Sequence, residues 1–421
     1  MDNVRSVAES VFRQESGRII AALIRISGSF DRAEEAMQEA FASALASWAI
    51  GGIPQNPAAW IMTAANRKLI DAARRERTRR EKQDSLKYEI EISAATLPVP
   101  FEPAAMDFPD DRLRLIFTCC HPAINQEAQV ALTLRTLGGL STPEIAKAFL
   151  MPEPTLAQRL VRAKRKILEA RIPYEVPPPE RLPERLAAAQ AVIYLIFNEG
   201  YAASSGMDLV RHDLCAEAIR LGRVLCELLP NQPENIGLLA LMLLHDSRRN
   251  ARVSEGRLRT LEEQDRSLWD QAAISEGLAL VEKALRMARI GPYQLQAAIA
   301  ALHAQASASE ATDWPQIAAL YGELLDLNPS PVVALNQAVA VAMSGAIEEG
   351  LRQIDDLGSS GSLDQYYLFH AARADLLRRL DRRAEAAAAY RAAVHLTSNQ
   401  IELDFLQRRV RETEELQPLT P

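Results

Sequence analysis

Apolar residues recur at spacings of three and four along most of the chain, and no stretch alternates convincingly in twos. That period predicts helices and no sheet. Within residues 31–48, Ala33, Met37, Phe41, Ala44 and Trp48 form one apolar stripe, with Asp31, Glu34, Glu35, Gln38 and Glu39 mostly off it. A packed helix with an acidic outer surface follows. In residues 56–80, Pro57 suits a helix start, and Trp60, Ile61, Ala64 and Ile70 mark the expected buried face. In residues 137–167 two helices are expected around a short turn at Met151 and Pro152. Ser141 and Glu144 have the spacing of a capping box for the first, with Ile145, Ala146 and Phe149 on its buried side. Leu156, Leu160, Ala163 and Ile167 stripe the second.

Prolines divide the chain. Pro98, Pro100, Pro103 and Pro109 fall among many acids, and a continuous helix is excluded there. A second cluster, VPPPERLP, occupies 176–183. The organisation expected is therefore a helical domain at 1–82, an acidic linker at 83–110, a second helical domain at 111–175 and a long helical block at 184–421. The last block repeats itself. Pro230 and Pro329 lie three periods of about 33 residues apart, and Tyr321 and Tyr390 two periods of about 34. Each tyrosine precedes an Asn expected to end its helix, Asn328 and Asn399. Paired-helix solenoids of tetratricopeptide type have this period, and 400–414 suits a polar capping helix.

Composition agrees with helices: aromatics are 5% of 421 residues, and Ala, Leu and Arg are abundant. The formal net charge of -7 argues against a duplex-binding protein until its distribution is read. Arg74, Arg75, Arg77, Arg79, Arg80 and Lys82 crowd one helix end, more cations than the helix dipole needs. Arg159, Arg162 and Lys166 share a face of the later helix, and Lys164 and Arg165 extend the charge. Basic ends and stripes of this kind suit phosphate contacts and major-groove entry.

Cys119, Cys120, Cys215 and Cys226 show no C-x-x-C spacing, and a reduced cytoplasmic setting follows. Adjacent Cys119, Cys120 and His121 point in different directions on a helix and cannot close a tetrahedral metal site, so they read as buried small residues. No signal peptide or membrane span is expected, and no catalytic, cofactor or metal motif is visible, so the chain is not expected to be an enzyme. The segment NEGYAASSG places Asn198, Glu199, Tyr201, Ser204 and Ser205 after an apolar helix. It reads as a polar loop, with a peptide- or ligand-lining segment of the solenoid as the other reading.

Taken in order, AEEAMQEAF, NPAAWIMTAANRKLIDAARRE and STPEIAKAFLMPEPTLAQRLVRAKRKI resemble the RNA polymerase sigma factors of the extracytoplasmic-function (ECF) group over residues 5–171. The resemblance implies an all-α fold and a role in promoter-specific initiation, with core RNA polymerase and promoter DNA as partners. It implies that Asp31, Glu34, Glu35, Gln38 and Glu39 meet the polymerase. Trp60, Asn66, Asp71, Arg74, Arg75 and Arg77 would lie near the melted -10 strand. Thr155, Gln158, Arg159, Arg162, Lys164 and Arg165 would serve the -35 duplex. Pro154 and Ala157-Gln158 depart from the family pattern in the turn and recognition helix, so the usual -35 preference does not transfer. LRLIFTCCHPAINQEA, NEGYAASSG, DLCAEAIRLGRVLCELLP and GPYQLQAAIAALHA resemble the subgroup with a tetratricopeptide-type extension. That implies an extension that controls or enables transcription and binds an unidentified protein or peptide. A stand-alone helix-turn-helix regulator with a helical sensor domain is the rival reading, but leaves 31–82 unexplained. A pure scaffold is the second rival.

Overall fold

The computed structural model describes residues 2–84, 111–149, 151–203, 207 and 209–415. The chain is all-helical apart from one small hairpin among the described residues. It divides into two compact units, 1–192 and 193–421. Apart from its first two positions, the expected acidic linker lies outside the described residues.

Unit 1 begins with three helices, α1 (Asp2–Ser27), α2 (Phe30–Gly51) and α3 (Pro57–Asp84). Their core joins Ile19, Ile20 and Leu23 of α1 to Ala33, Ala40, Ala44 and Trp48 of α2 and to Ile61, Ala65 and Leu69 of α3. Each fully buried Leu or Ile contributes roughly 1.5–3 kcal/mol relative to exposure. Trp48 meets Trp60 edge to face at 5.6 Å, and Phe12 meets Phe41 at 5.2 Å. One expectation needs correction. Ile70 is 36% exposed, and Leu69 fills the core instead. Ile61, Ala65 and Leu69 are spaced by four, which keeps them on one face, whereas Ile70 is turned about 100° from Leu69.

Four further helices complete this unit's helix-turn-helix region: α4 (Arg112–Cys119), α5 (Gln126–Thr136), α6 (Thr142–Ala148) and α7 (Glu153–Glu169). The capping box forms as expected: Ser141 Oγ accepts from Glu144 N at 3.3 Å, and Ser141 N donates to Glu144 Oε2 at 2.7 Å. Pro154 sits in the first turn of α7, where no backbone donor is required. Leu156, Leu160, Ala163 and Ile167 are buried. Cys119 Sγ lies 3.3 Å from Thr136 Oγ1, and Cys120 Sγ 3.7 Å from Thr133 Oγ1, both inside the core.

These helices are fastened to α1. Arg25 Nε donates to the buried Asp111 Oδ2 at 2.7 Å, and Tyr174 Oη donates to Ala21 O at 2.8 Å. Gly139, after α5, has φ 68°, and a Cβ there would come within 2.7 Å of Ser16 Oγ. Only glycine permits both that backbone and that approach.

From α8 (Leu182–Tyr201) onward the helices follow one another: α9 (His212–Leu228), α10 (Pro233–Asp246), α11 (Gln271–Leu285), α12 (Pro292–Gln305), α13 (Trp314–Leu327), α14 (Pro331–Met343), α15 (Ile347–Gly358), α16 (Tyr367–Arg379), α17 (Arg383–Leu396) and α18 (Gln400–Glu415). In unit 2 most pack chiefly on neighbours in sequence, whereas α12 packs most extensively on α10. Pro233, Pro292, Pro315 and Pro331 occupy first turns. The apolar run from Ile236 to Leu244 is the buried body of α10.

Three details differ from expectation. The segment after α10 holds a hairpin of β1 (Val253–Ser254) and β2 (Arg257–Leu258), two-residue strands too short to register as alternation. Asn399 does not end α17. Its Oδ1 accepts from Ile401 N and Glu402 N, so it starts α18, and its Nδ2 donates to Ala203 O. Asn198, Glu199 and Tyr201 belong to α8, not to a loop. Ser204 and Ser205 lie outside the described residues. Among the described residues no helix is long and apolar enough to cross a membrane.

Candidate polymerase and promoter interface

Helix α2 begins on Ser29, whose Oγ accepts from Arg32 N at 3.4 Å. The inward stripe leaves Asp31, Glu35 and Gln38 exposed, with Glu34 and Glu39 between core and surface. Part of this acidic set is already engaged. Glu39 pairs with Lys68 at 3.2 Å, and Arg32 on the same helix pairs with Glu76 at 2.8 Å. Lys164 Nζ lies 3.0 Å from Asp31 Oδ1 and 2.9 Å from Glu34 Oε2. The Lys164 and Glu34 side chains are only 16% and 17% exposed, so this pair is better shielded from solvent than the others.

The residues expected near the -10 strand divide. Trp60 is half-buried against Trp48. Asn66 is 6% exposed and belongs to the three-helix core. Asp71, Arg74 and Arg75 are exposed on α3, and Arg75 Nε donates to Asp71 O at 3.3 Å. The side chain of Arg77 lies outside the described residues.

The residues expected at the -35 duplex come together, with one exception. Thr155, Gln158, Arg159, Arg162 and Arg165 line an open groove of about 550 Å³ between α7 and the start of α5. Asn125 and Glu127 form its other wall. Arg159 reaches across to Glu127 at 2.7 Å, and Arg165 pairs with Glu169 at 3.2 Å along its own helix. Arg162 and Lys166 are exposed beside them. Lys164 is the exception. It stands nine residues after Thr155, roughly 180° around the helix, and therefore faces α2. The groove's acidic wall was not anticipated. Its signal was the Asn125 cap before Gln126 and Glu127, where Asn125 Oδ1 accepts from Ala128 N at 2.8 Å.

Known proteins share these regions. Residues 11–79 match the family model of Sigma-70 region 2, and 114–167 that of Sigma-70 region 4. Residues 185–285 match a family of unknown function. The uncharacterized protein R00370 of Rhizobium meliloti (strain 1021) is 43% identical over 393 residues, covering 93% of this chain and 92% of that protein. The probable ECF RNA polymerase sigma factor SigI of Mycobacterium tuberculosis (strains CDC 1551 / Oshkosh and H37Rv) is 27% identical over 169 residues. That match spans 40% of this chain and 57% of SigI. No solved structure matches. With region 2 preceding region 4 and a packed helix-turn-helix in the latter, the chain belongs to the ECF-type RNA polymerase sigma factors, in one family with R00370.

Proposed function

We propose that this sigma factor docks on core RNA polymerase through the acidic surface of α2, contacts the melted -10 strand through α3 around the exposed Arg74 and Arg75, and grips the -35 duplex with α7. The helical-repeat unit, of tetratricopeptide type by its period, regulates that activity or binds a protein or peptide partner. The protein works in the cytoplasm and performs no chemistry of its own; the polymerase does.

The observation that carries this reading is the groove on α7, where Thr155, Gln158, Arg159 and Arg162 converge. Arg162 is exposed and Arg159 sits at the groove wall, so guanidiniums flank polar side chains able to reach base edges. In this reading Asn66 holds α3 in place from the core rather than touching the strand.

Co-purification with core enzyme tests the polymerase contact. Glu35→Lys reverses an exposed charge without entering the core, and affinity for core enzyme is expected to fall about tenfold. Wild-type protein that fails to bind core enzyme would favour the stand-alone regulator, for which the acidic surface of α2 has no purpose.

A further inference from the structure

Unit 2 carries a cluster of arginines around the end of α10 and the segment after it. Arg248 Nη2 donates to Tyr201 Oη at 3.0 Å and lies 2.8 Å from His245 Nδ1. The Arg252 guanidinium sits 3.8 Å over the Tyr201 ring. Arg266 and Arg248 lie 4.5 and 5.9 Å from the Trp269 ring. All three arginines are half-buried, as are Tyr201 and His245.

Among the described residues, no carboxylate lies within ion-pair distance of Arg248, Arg252 or Arg266. The contrast within the same unit is sharp. Arg249, next in sequence, pairs with Asp246, and Arg223, Arg379 and Arg409 each reach a glutamate. Glu402 influences Arg252 electrostatically, but accepts its hydrogen bond from Tyr367 Oη at 2.7 Å.

Partly desolvated guanidiniums without an ion-pair partner are costly, and the aromatic faces, with Glu402 near Arg252 and Glu310 near Arg266, offset only part of that cost. Arg248 Nε and Arg266 Nη2 also lack any hydrogen-bond partner. Burial, and then Arg248, Arg252 and His303, push the pKa of His245 well below the ordinary histidine value. The imidazole thus stays neutral, and the fixed arginine charge is what the cluster offers.

A purely architectural role accounts for some of this. Arg266 Nη1 donates to His303 O at 2.7 Å and Ala306 O at 2.6 Å, and Arg252 Nη1 donates to Tyr201 O. It does not account for Arg248, whose guanidinium hydrogen-bonds, among the described residues, only with Tyr201 Oη and His245 Nδ1 and shares Tyr201 with Arg252.

We propose that this cluster binds a small oxyanion ligand bearing a phosphate or carboxylate group, with Arg248 and Arg252 as its cationic contacts and Tyr201, stacked on Phe197, holding both in place. Arginine forks match both groups in geometry and charge.

Calorimetric titration of the full-length protein tests it, with inorganic pyrophosphate in one arm and succinate in the other. Each is compared with sodium chloride at matched ionic strength. Saturable binding of one probe per chain is expected, and the arm that binds identifies the group. Arg248→Gln combined with Arg252→Gln is expected to weaken binding at least about tenfold, with the folded state checked by circular dichroism. Arg286→Gln, at an exposed ion pair just past the end of α11, is expected to bind as wild type. Arg248→Lys keeps the charge and removes the fork; this milder change is expected to weaken binding and provides the decisive comparison if the double variant does not fold. Saturable binding by neither probe would overturn the site, as would undiminished binding in the folded variants. The titration reads binding alone, so its failure leaves the transcription reading untouched.

Discussion

Cys119 and Cys120 stand side by side at the end of α4, and burial decides what they do. It raises the Cys120 and Cys215 thiols to about 12 and Cys226 to about 11, and pushes Cys119 higher still. A raised thiol pKa means little thiolate near neutral pH, hence little nucleophilicity. Iodoacetamide applied to native protein near neutral pH is expected to leave Cys119, Cys120 and Cys215 unmodified, with slow reaction at the less buried Cys226. All four should label in urea. Mass spectrometry reads the sites, and rapid native labelling of Cys120 would refute the packing around α4. The sequence already carried this reading, since adjacent helical residues diverge. Residues with two plausible places were harder. Ile70 and Leu69 are both apolar, and only the four-residue spacing from Ile61 and Ala65 selects Leu69. Asn399 fits either end of a helix, and its hydrogen bonds to Ile401 N and Glu402 N decide for the start of α18.

At the scale of elements, α7 faces two ways. One face, with Thr155, Gln158 and Arg162, lines the groove, while Lys164 on the opposite side holds Asp31 and Glu34 of α2. Charge along α7 was legible in the sequence. Its division between two jobs was not, because the partner acids lie more than a hundred residues upstream. If α2 is the polymerase contact, Lys164 competes with polymerase for Asp31 and Glu34. Lys164→Ala is therefore expected to lower the melting temperature of unit 1 and to raise affinity for core enzyme about fivefold, equivalent to roughly 1 kcal/mol for a partly shielded pair. Affinity equal to or below wild type would remove that competition. Helix α12 offers a separate test. Burial, then Arg248 and Arg266, lowers the His303 pKa to about 4, below its ordinary 6.5. The fold favours neutral His303 while the unfolded chain takes up the proton more readily. Its contribution is thus fully present above about pH 6.5 and lost as pH falls toward 4, by at most roughly 3 kcal/mol. Urea unfolding followed by Trp emission across that range should show the loss, and His303→Gln should reduce it, the remainder coming from His245, which burial also holds neutral.

At the scale of the whole molecule, the acidic total and the proposed nucleic-acid role are compatible because charge is unevenly distributed. Arg74 and Arg75 are exposed on α3 and the open face of α7 carries arginines, while the rest of the chain sets the total. The helical class, the capping box and the buried stripe of α7 followed directly from period and spacing. The hairpin after α10 did not, since strands of two residues leave no pattern to read. Nor did the arginine cluster of unit 2, whose members are spread over several elements and meet only in the fold. Promoter-specific initiation is tested most directly by run-off transcription with purified core enzyme and the full-length protein over a genomic library, with start sites mapped. Transcripts are expected from a limited set of sites sharing -10 and -35 elements, weakened when Arg159 and Arg162 are both changed to alanine. Transcription no different from core enzyme alone would contradict promoter-specific initiation.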